Sequence, residues 1–409
     1  MGSYRALHTS DWHIGKKIGH FSRIEEQRRF LGFLLEFIRN EKIDLLLVAG
    51  DIYDSRRPGL EEQKLINDFF YELSFTSCKW CVVISGNHDK KDYLSINKKI
   101  FSRFNFFLVT EEESTDQVVF LKNRDVVEFV VVCVPYVNER LILNQKYGDG
   151  ELNDDIFLEK LENAYRYKIA NIVNSVDDQY RFVPKILIAH SFFCSGRSVN
   201  IIGSSFILPV SVFGDSFSYV ALGHVHDFKK LKSNVVYSGS PIQYSFDEGI
   251  KKYINVLLFN DGKLVLQKKD LLPVFGELRS LKGSFKEIMN DLYSIKKKLS
   301  CICYLKIELN ERVDVELEEQ IYGLARSDLI KIFDIDYHLP SLDQNFYEQG
   351  KIVSKDEVLS RDEKYFFQEK LKRDTINGFR REIRFKEEEL VALFEEVLLK
   401  GRAGEYEDK

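Results

Sequence analysis

The stretches "IDLLLVAG" (residues 43–50) and "CVVISG" (81–86) are nearly unbroken apolar runs, each closed by a glycine. Runs this short and this apolar suit strands covered on both faces, the setting of a parallel sheet between two layers. The segments around them have a helical period instead. In "SRIEEQRRFLGFLLEFIRNE" (22–41), Phe30, Leu34, Phe37 and Ile38 recur at helix spacing, and Ser22 precedes Glu25 by three, as in a capping box. "LEEQKLINDFFYELSF" (60–75) repeats the helical pattern, and "YRALHTS" (4–10) leads as a short strand. The β-α-β-α-β order predicts an α/β fold, with parallel strands and helices on the sheet faces.

Further strands are expected at "FVVVCVPY", "KILIAHS", "FSYVALGH" and "NVVYSG", with a helix over 151–175. "YINVLLFN" and "KLVLQKKD" are joined by Asp261-Gly262, a pair that accepts the positive φ angles of a tight hairpin. The pattern changes near residue 273. "KGSFKEIMNDLYSIKKK" and "VELEEQIYGLAR" read as helices, "CICYLKIEL" and "LIKIFDIDYH" as strands, which makes a small α+β unit over 273–345. Residues 346–409 are highly charged, with an apolar stripe of Leu390, Leu393, Phe394, Val397 and Leu398. Such a stripe packs either on its own chain or on a partner.

Five short motifs stand at the ends of expected strands. They are "SDWH" (Asp11, His13), "GDIYD" (Asp51, Asp54), "GNHD" (Asn87, His88, Asp89), "AHS" (His190) and "GHVH" (His224, His226). In open α/β sheets, ligands sit outside the carboxyl ends of the strands. Any one motif has an ordinary explanation as a turn or a satisfied polar residue. Jointly they do not, because they collect five of the eight histidines at strand ends. Residues two apart on an extended segment point the same way, so each pair, Asp11 with His13 and His224 with His226, can offer two ligands to one point. Imidazole with carboxylate suits Mn, Fe or Zn better than Mg or Ca. The set is too large for one ion. Two ions about 3.5–4 Å apart, sharing a carboxylate, clamp the attacking and leaving oxygens of a phosphoryl displacement. The chemistry indicated is phosphoester hydrolysis.

In this order the motifs resemble the calcineurin-like metallophosphoesterases. "LHTSDWHIGKK", "SRIEEQRRFL", "VAGDIYDSRRP" and "YSGSPIQYSFDE" are similar to the SbcD family of bacterial double-strand-break repair nucleases, over most of residues 5–270. Protein phosphatases of the superfamily typically read GD-x-x-DRG and GNHE; "GDIYDSR" and "GNHD" here favour a nuclease. The resemblance implies a β-sandwich flanked by helices over 1–272, a capping domain over 273–345 and a helical segment over 346–409. It implies that Asp11, His13 and His226 hold one divalent ion, that Asn87, His190 and His224 hold a second, and that Asp51 bridges. Manganese is the expected metal. His88 matches the non-ligand catalytic histidine, and Asp54 the position that orients it. Asp89 reads as a turn residue.

The implied activity is that of a 3′-to-5′ exonuclease on duplex DNA and an endonuclease on single strands and hairpins. Lys16, Lys17, Arg56, Arg57, Lys90, Lys91 and Arg197 stand within a few residues of the motifs and are candidates for holding a DNA backbone. The formal net charge of −5 makes any such contact local. The resemblance also implies an SbcC-type coiled-coil ATPase as partner, docked by the tail, and a homodimer within a 2:2 heterotetramer. This chain has no G-x-x-x-x-G-K-[ST] of its own, so ATP is expected on the partner. A small-molecule phosphodiesterase and a non-catalytic DNA-end scaffold are the alternatives. A cytoplasmic location is expected, because no apolar run approaches the roughly 18–20 residues of a membrane span. The "CKWC" pair Cys78 and Cys81 reads as buried or half-buried thiols rather than a redox or zinc site, and the six cysteines fit a reducing compartment.

Overall fold

The computed structural model describes residues 2–110, 117–136, 154–196, 201–202, 205–311, 313–325, 329–337, 345–348 and 351–354. The first part of the chain runs β1 (Ser3–Thr9), α1 (Ile24–Asn40), β2 (Leu45–Ala49), α2 (Leu60–Leu73), β3 (Trp80–Ile84) and β4 (Phe106–Val109). Then follow β5 (Val118–Asn123), β6 (Val126–Val134), α3 (Asp154–Asn174), β7 (Lys185–His190), β8 (Tyr219–Gly223), β9 (Lys229–Lys232) and β10 (Val235–Tyr237). The hairpin of β11 (Tyr253–Asn260) and β12 (Lys263–Leu271) comes next, and its turn has φ of 48° at Asp261 and 76° at Gly262, as the pair requires.

These strands form two six-stranded sheets, ordered β12-β11-β1-β2-β3-β4 and β9-β10-β8-β7-β6-β5. Strands β1 to β4 are mutually parallel, and β11 adds to β1 antiparallel. The runs that suggested one sheet between helices are covered differently. Leu45, Leu47 and Ala49 face the second sheet, packing with Val131, Ile186, Ile188 and Ala221. Leu46 and Val48 face the other way, toward Phe30, Leu34, Ile38 and Phe69 of α1 and α2. The second sheet is backed by α3 through Leu158, Leu161, Tyr165 and Ile169. The result is a sandwich flanked by helices. An apolar face is satisfied equally by a sheet or a helix, so the strand pattern did not reveal which covers it.

The capping box does not form. Arg23 is the residue before α1, no side chain caps the helix, and Ser22 Oγ lies 3.4 Å from the Ile24 N–H. Tertiary contacts fix this end instead. Arg23 is fully buried, its Nε donates to Glu26 Oε2 at 2.9 Å, and Tyr304 Oη donates to Glu26 Oε1 at 2.7 Å. Cys78, Cys81, Cys133, Cys301 and Cys303 are buried free thiols, and burial pushes Cys78 up to about 12.

The chain divides into two compact units: residues 1–280 with 298–306 and 328–333, and residues 281–297 with 307–327 and 334–409. Strands β13 (Gly276–Gly283), β14 (Ile302–Leu309) and β15 (Ile330–Tyr337) pair in a three-stranded sheet. Helices α4 (Phe285–Lys298) and α5 (Val315–Ala325) stand where their periods placed them; β13 was not anticipated. The expected helical tail opens instead on a hairpin of Asn345–Glu348 and Lys351–Ser354. The Leu390 to Leu398 stripe and Arg197 lie outside the described residues. Among the described residues, no helix is long and apolar enough to cross a membrane.

Candidate dimetal site

The five motifs meet at the carboxyl ends of β1, β2, β3, β7 and β8. The turns after β1 and β2 are zipped together: Asp11 N–H donates to the Gly50 carbonyl at 3.0 Å, His13 N–H to Asp51 and Ile14 N–H to Ile52. Two glycines permit the closeness. A Cβ on Gly223 would lie 1.8 Å from the Ala49 carbonyl oxygen, and one on Gly86 would lie 2.1 Å from Asp51 Oδ1.

The convergence does not arise from extended segments. Asp11, His13, Asp51 and His224 have φ of 53°, 44°, 52° and 100°, a left-handed region that non-glycine residues seldom occupy. Backbone strain of this kind clusters at functional sites. It also separates the two histidines of "GHVH". His226 joins Asp11 and His13, whereas His224 joins Asp51 and His190; in each trio the donor atoms lie within 4.8 Å of one another. The extended-strand reading of His224 and His226 is therefore corrected, whereas their separation is the one the resemblance implied. A third trio is His13, Asp51 and His88.

Hydrogen bonds fix how each imidazole presents itself. His190 Nδ1 lies 2.7 Å from the Ala49 carbonyl, so Nδ1 carries the hydrogen and Nε2 is left with a lone pair. That nitrogen faces Asn87 Oδ1 at 3.1 Å and Asp51 Oδ2 at 3.4 Å. His224 Nδ1 meets the same Asn87 oxygen at 3.0 Å. His226 turns Nδ1 to Glu248 Oε1 at 2.9 Å and Nε2 to His13 Nε2 at 3.1 Å. His13 Nε2 is also 3.5 Å from Asp51 Oδ2, and its buried Nδ1 faces Asp54 Oδ1 at 3.4 Å. Lone pairs and carboxylate oxygens thus face one another around Asp51 with few hydrogens between them. Buried acceptors gathered this way call for cations. The donor set fits two divalent ions.

The electrostatics agree. Burial opposes ionisation of Asp51, but the His190, His13 and His88 imidazoles hold its carboxyl well below the usual carboxylate range. Burial also opposes a charge on His190, yet the Asp51 carboxylate beside it lifts that group to about 9. Where protons are the only cations at hand, His190 thus takes one, on a nitrogen for which a metal ion would compete. Burial, with His190 nearby, pushes His224 down to about 3. Asp11, His13, Asp51 and His190 are almost fully buried, while Asn87, His88, His224 and His226 are half-buried and line the open side.

His88 is held by its neighbours' backbone and side chain. Its N–H donates to Asp51 Oδ1 at 2.9 Å, and its Nδ1 lies 2.7 Å from the Asp54 carbonyl. The Asp54 carboxylate is turned away, to Lys16 Nζ at 3.0 Å and His13 Nδ1 at 3.4 Å. Burial raises the Asp54 carboxyl, but His13 and Lys16 more than offset that and lower it. Asp89, read as a turn residue, ties two loops together. It accepts from Ile52 N–H at 3.1 Å, Tyr53 N–H at 2.9 Å and Gly86 N–H at 2.9 Å. Burial, with the Asp51 charge beside it, raises its carboxyl to about 6 against those three donors. Lys17, Arg56, Arg57, Lys90 and Lys91 are exposed, with Lys90 Nζ 3.0 Å from Asp92.

Two contributors had no local signal. Glu248 stands in "YSFDE", 22 residues past its partner histidine. The Phe192 ring packs edge-on to His224 at 4.2 Å between centroids.

The sequence profile of the calcineurin-like phosphoesterases matches residues 4–228. The chain is 31% identical over 297 residues to the SbcD component of the SbcCD nuclease of Escherichia coli strain K12, covering 70% of this chain and 73% of that protein. It is 27% identical over 336 residues to the SbcD component of the SbcCD nuclease of Staphylococcus epidermidis, covering 80% and 86%.

Proposed function

Since the chain belongs to the calcineurin-like phosphoesterase family, among metal-dependent nucleases related to SbcD, we propose that it cuts DNA as a 3′-to-5′ duplex exonuclease and a single-strand and hairpin endonuclease. The observation that carries this is the acceptor-rich cluster around Asp51, whose Oδ2 faces His13 and His190 from opposite trios. Asp11, His13 and His226 would hold one ion, Asn87, His190 and His224 the other, with Asp51 shared between them. Two bound ions supply charge stabilisation for the attacking and leaving oxygens of a phosphodiester. Manganese suits this mixed nitrogen and oxygen set.

His88 works beside the ions. With Nδ1 engaged by the Asp54 carbonyl, its other nitrogen is available to stabilise the phosphoryl oxygens and assist the departing one. Asp54 acts through that carbonyl and through its pairing with Lys16. Lys16, Lys17, Arg56, Arg57, Lys90, Lys91 and Arg197 would hold the DNA backbone.

The chain acts with an SbcC-type ATPase, which binds ATP and is engaged by the segment 346–409, while the unit over 273–345 caps the nuclease. It works in the cytoplasm, at the nucleoid. Homodimerisation has support on the surface. Asn97 Nδ2 donates to Asn67 Oδ1 at 2.7 Å and the Phe70 and Phe101 rings lie 5.0 Å apart, so α2 and the Lys98–Phe101 turn pack side by side. Tyr71, Phe75, Ile96, Ile100 and Phe104 are exposed around this pair. A second copy that covers this apolar cluster gives the 2:2 assembly.

The test supplies Mn2+ to the full chain, with and without its ATPase partner and ATP. Substrates are labelled hairpin DNA, linear duplex and a generic phosphodiester. Cleavage of hairpin and duplex DNA is expected. Rapid hydrolysis of the generic ester with DNA left intact, even with partner and ATP, would assign the chain to small-molecule phosphodiesters instead.

A further inference from the structure

The His226 imidazole is gripped from behind by a carboxylate that the ligand set does not include. Glu248 Oε1 lies 2.9 Å from His226 Nδ1. Its other oxygen accepts from Tyr244 N–H at 3.1 Å and from Lys252 Nζ at 2.5 Å. Lys252 is 5% exposed and also donates to the His226 carbonyl at 3.1 Å, so the ammonium clamps the histidine's backbone and the carboxylate together. Gln243 holds the same turn: its Nε2 donates to the Glu248 carbonyl at 2.9 Å. Both carboxylate oxygens are therefore committed, and the charge of Glu248 is balanced by a nearly buried lysine.

His13, in the same trio, also turns Nδ1 to a carboxylate, Asp54 Oδ1 at 3.4 Å, but the imidazoles of the other trio lack such support. His190 Nδ1 is held by a neutral carbonyl, that of Ala49. His224 has its Nδ1 on Asn87 Oδ1, inside the site. The set of Asn87, His190 and His224 also contains the neutral amide, whereas the set of Asp11, His13 and His226 contains a carboxylate of its own. The two halves of the site thus differ in charge both among the ligands and behind them.

We propose that Glu248 is a positioning residue that fixes the tautomer and direction of His226 and makes the ion at Asp11, His13 and His226 the more tightly held of the pair. This rests on the dimetal reading above. A carboxylate that accepts the Nδ1 hydrogen commits Nε2 to the ligand role and makes it a better electron donor; loss of such a partner typically weakens metal affinity about 10–100-fold. Lys252 keeps the carboxylate in place and prevents it from acting as a ligand itself.

The experiment is titration of the full chain with Mn2+ by calorimetry and electron paramagnetic resonance, for wild type, Glu248→Gln and Glu248→Ala, each with its Tm. Wild type is expected to bind two ions in unequal steps. Glu248→Gln keeps the shape and loses the charge, and is expected to weaken the tighter step about 10-fold, Glu248→Ala about 100-fold, with the weaker step unchanged. Wild-type affinities in both variants would overturn the proposal. So would equal weakening of both steps together with a lowered Tm, which marks a merely structural residue. If Glu248→Ala does not fold, Glu248→Gln decides alone. Failure of wild type to bind two ions would instead overturn the dimetal reading.

Discussion

His88 is oriented by the backbone of Asp54, not by its side chain: Nδ1 lies 2.7 Å from the Asp54 carbonyl oxygen, while the carboxylate pairs with Lys16 at 3.0 Å. Side-chain replacements at these two positions should therefore separate. His88→Ala is expected to keep both Mn2+ ions and lose cleavage about 10²- to 10⁴-fold, the range for a general acid–base group. Asp54→Ala leaves the carbonyl and is expected to cost less than about 10-fold at saturating Mn2+, with its main effect on metal affinity through His13. Asn87→Ala should weaken one ion while His88 stays in place. Metal titration beside DNA cleavage reads all three, and loss of an ion in His88→Ala would sink this division of roles.

Asp89 holds the loop after β2 to the loop after β3 through three backbone donors. Asp89→Ala leaves those buried N–H groups without a partner. At about 1–3 kcal/mol for each unsatisfied group, several kcal/mol of stability should be lost. Urea unfolding measures the loss. Mn2+ affinity should fall with it, because Asp51 and Asn87 ride on the loops that Asp89 joins.

Gly223 of β8 lies against the Ala49 carbonyl of β2, with no room for a side chain between them. Gly223→Ala places a methyl group against the Ala49 carbonyl, and overpacking of this kind costs about 1–3 kcal/mol or more. The same carbonyl holds His190. A lowered Tm together with weakened binding of the ion at His190 is the expected result. Wild-type metal affinity would show that the strands can part without moving the ligands.

His8 gives the stability a slope in acid. It is fully buried, its Nδ1 lies 2.9 Å from Tyr219 Oη, and burial pushes it down to about 3. Its folded value lies below its unfolded value, so the unfolded chain binds the extra proton. The stabilising difference is fully present above about pH 6.5 and is lost as the pH falls toward 3, at up to about 1.4 kcal/mol per pH unit for one proton. His8→Asn should flatten the dependence of unfolding free energy on pH between 6.5 and 4.5. An unchanged slope would place the titration elsewhere.

Much of the site is legible along the chain because its chemistry is local. Asp11, His13, Asp51, Asn87, His88, His190, His224 and His226 each follow an apolar run, and a strand that ends under a cluster of ligands leaves that trace in one dimension. Glu248 leaves none. Its meaning depends on a partner 22 residues away and on a turn held by Lys252 and Gln243. The carboxylate of Asp54 is similar: the resemblance tied it to His88, and only the folded structure shows it facing Lys16 and His13.

The sequence by itself determined most of the central strands, most of the helices and the residues that gather at the strand ends, because burial on both faces and helical period are properties of neighbours in the chain; β4, β5, β9 and β13 left no such signal. The sandwich that the resemblance implied was not readable from the strand pattern itself, and the tertiary structure shows the second sheet, not a second layer of helices, covering Leu45 and Leu47. The tertiary structure alone put Glu248 behind His226 and showed how the left-handed backbone at His224 parts that residue from His226. These choices rest on contacts between distant segments and on left-handed backbone at Asp11, His13, Asp51 and His224, which the surrounding fold imposes and no local propensity encodes.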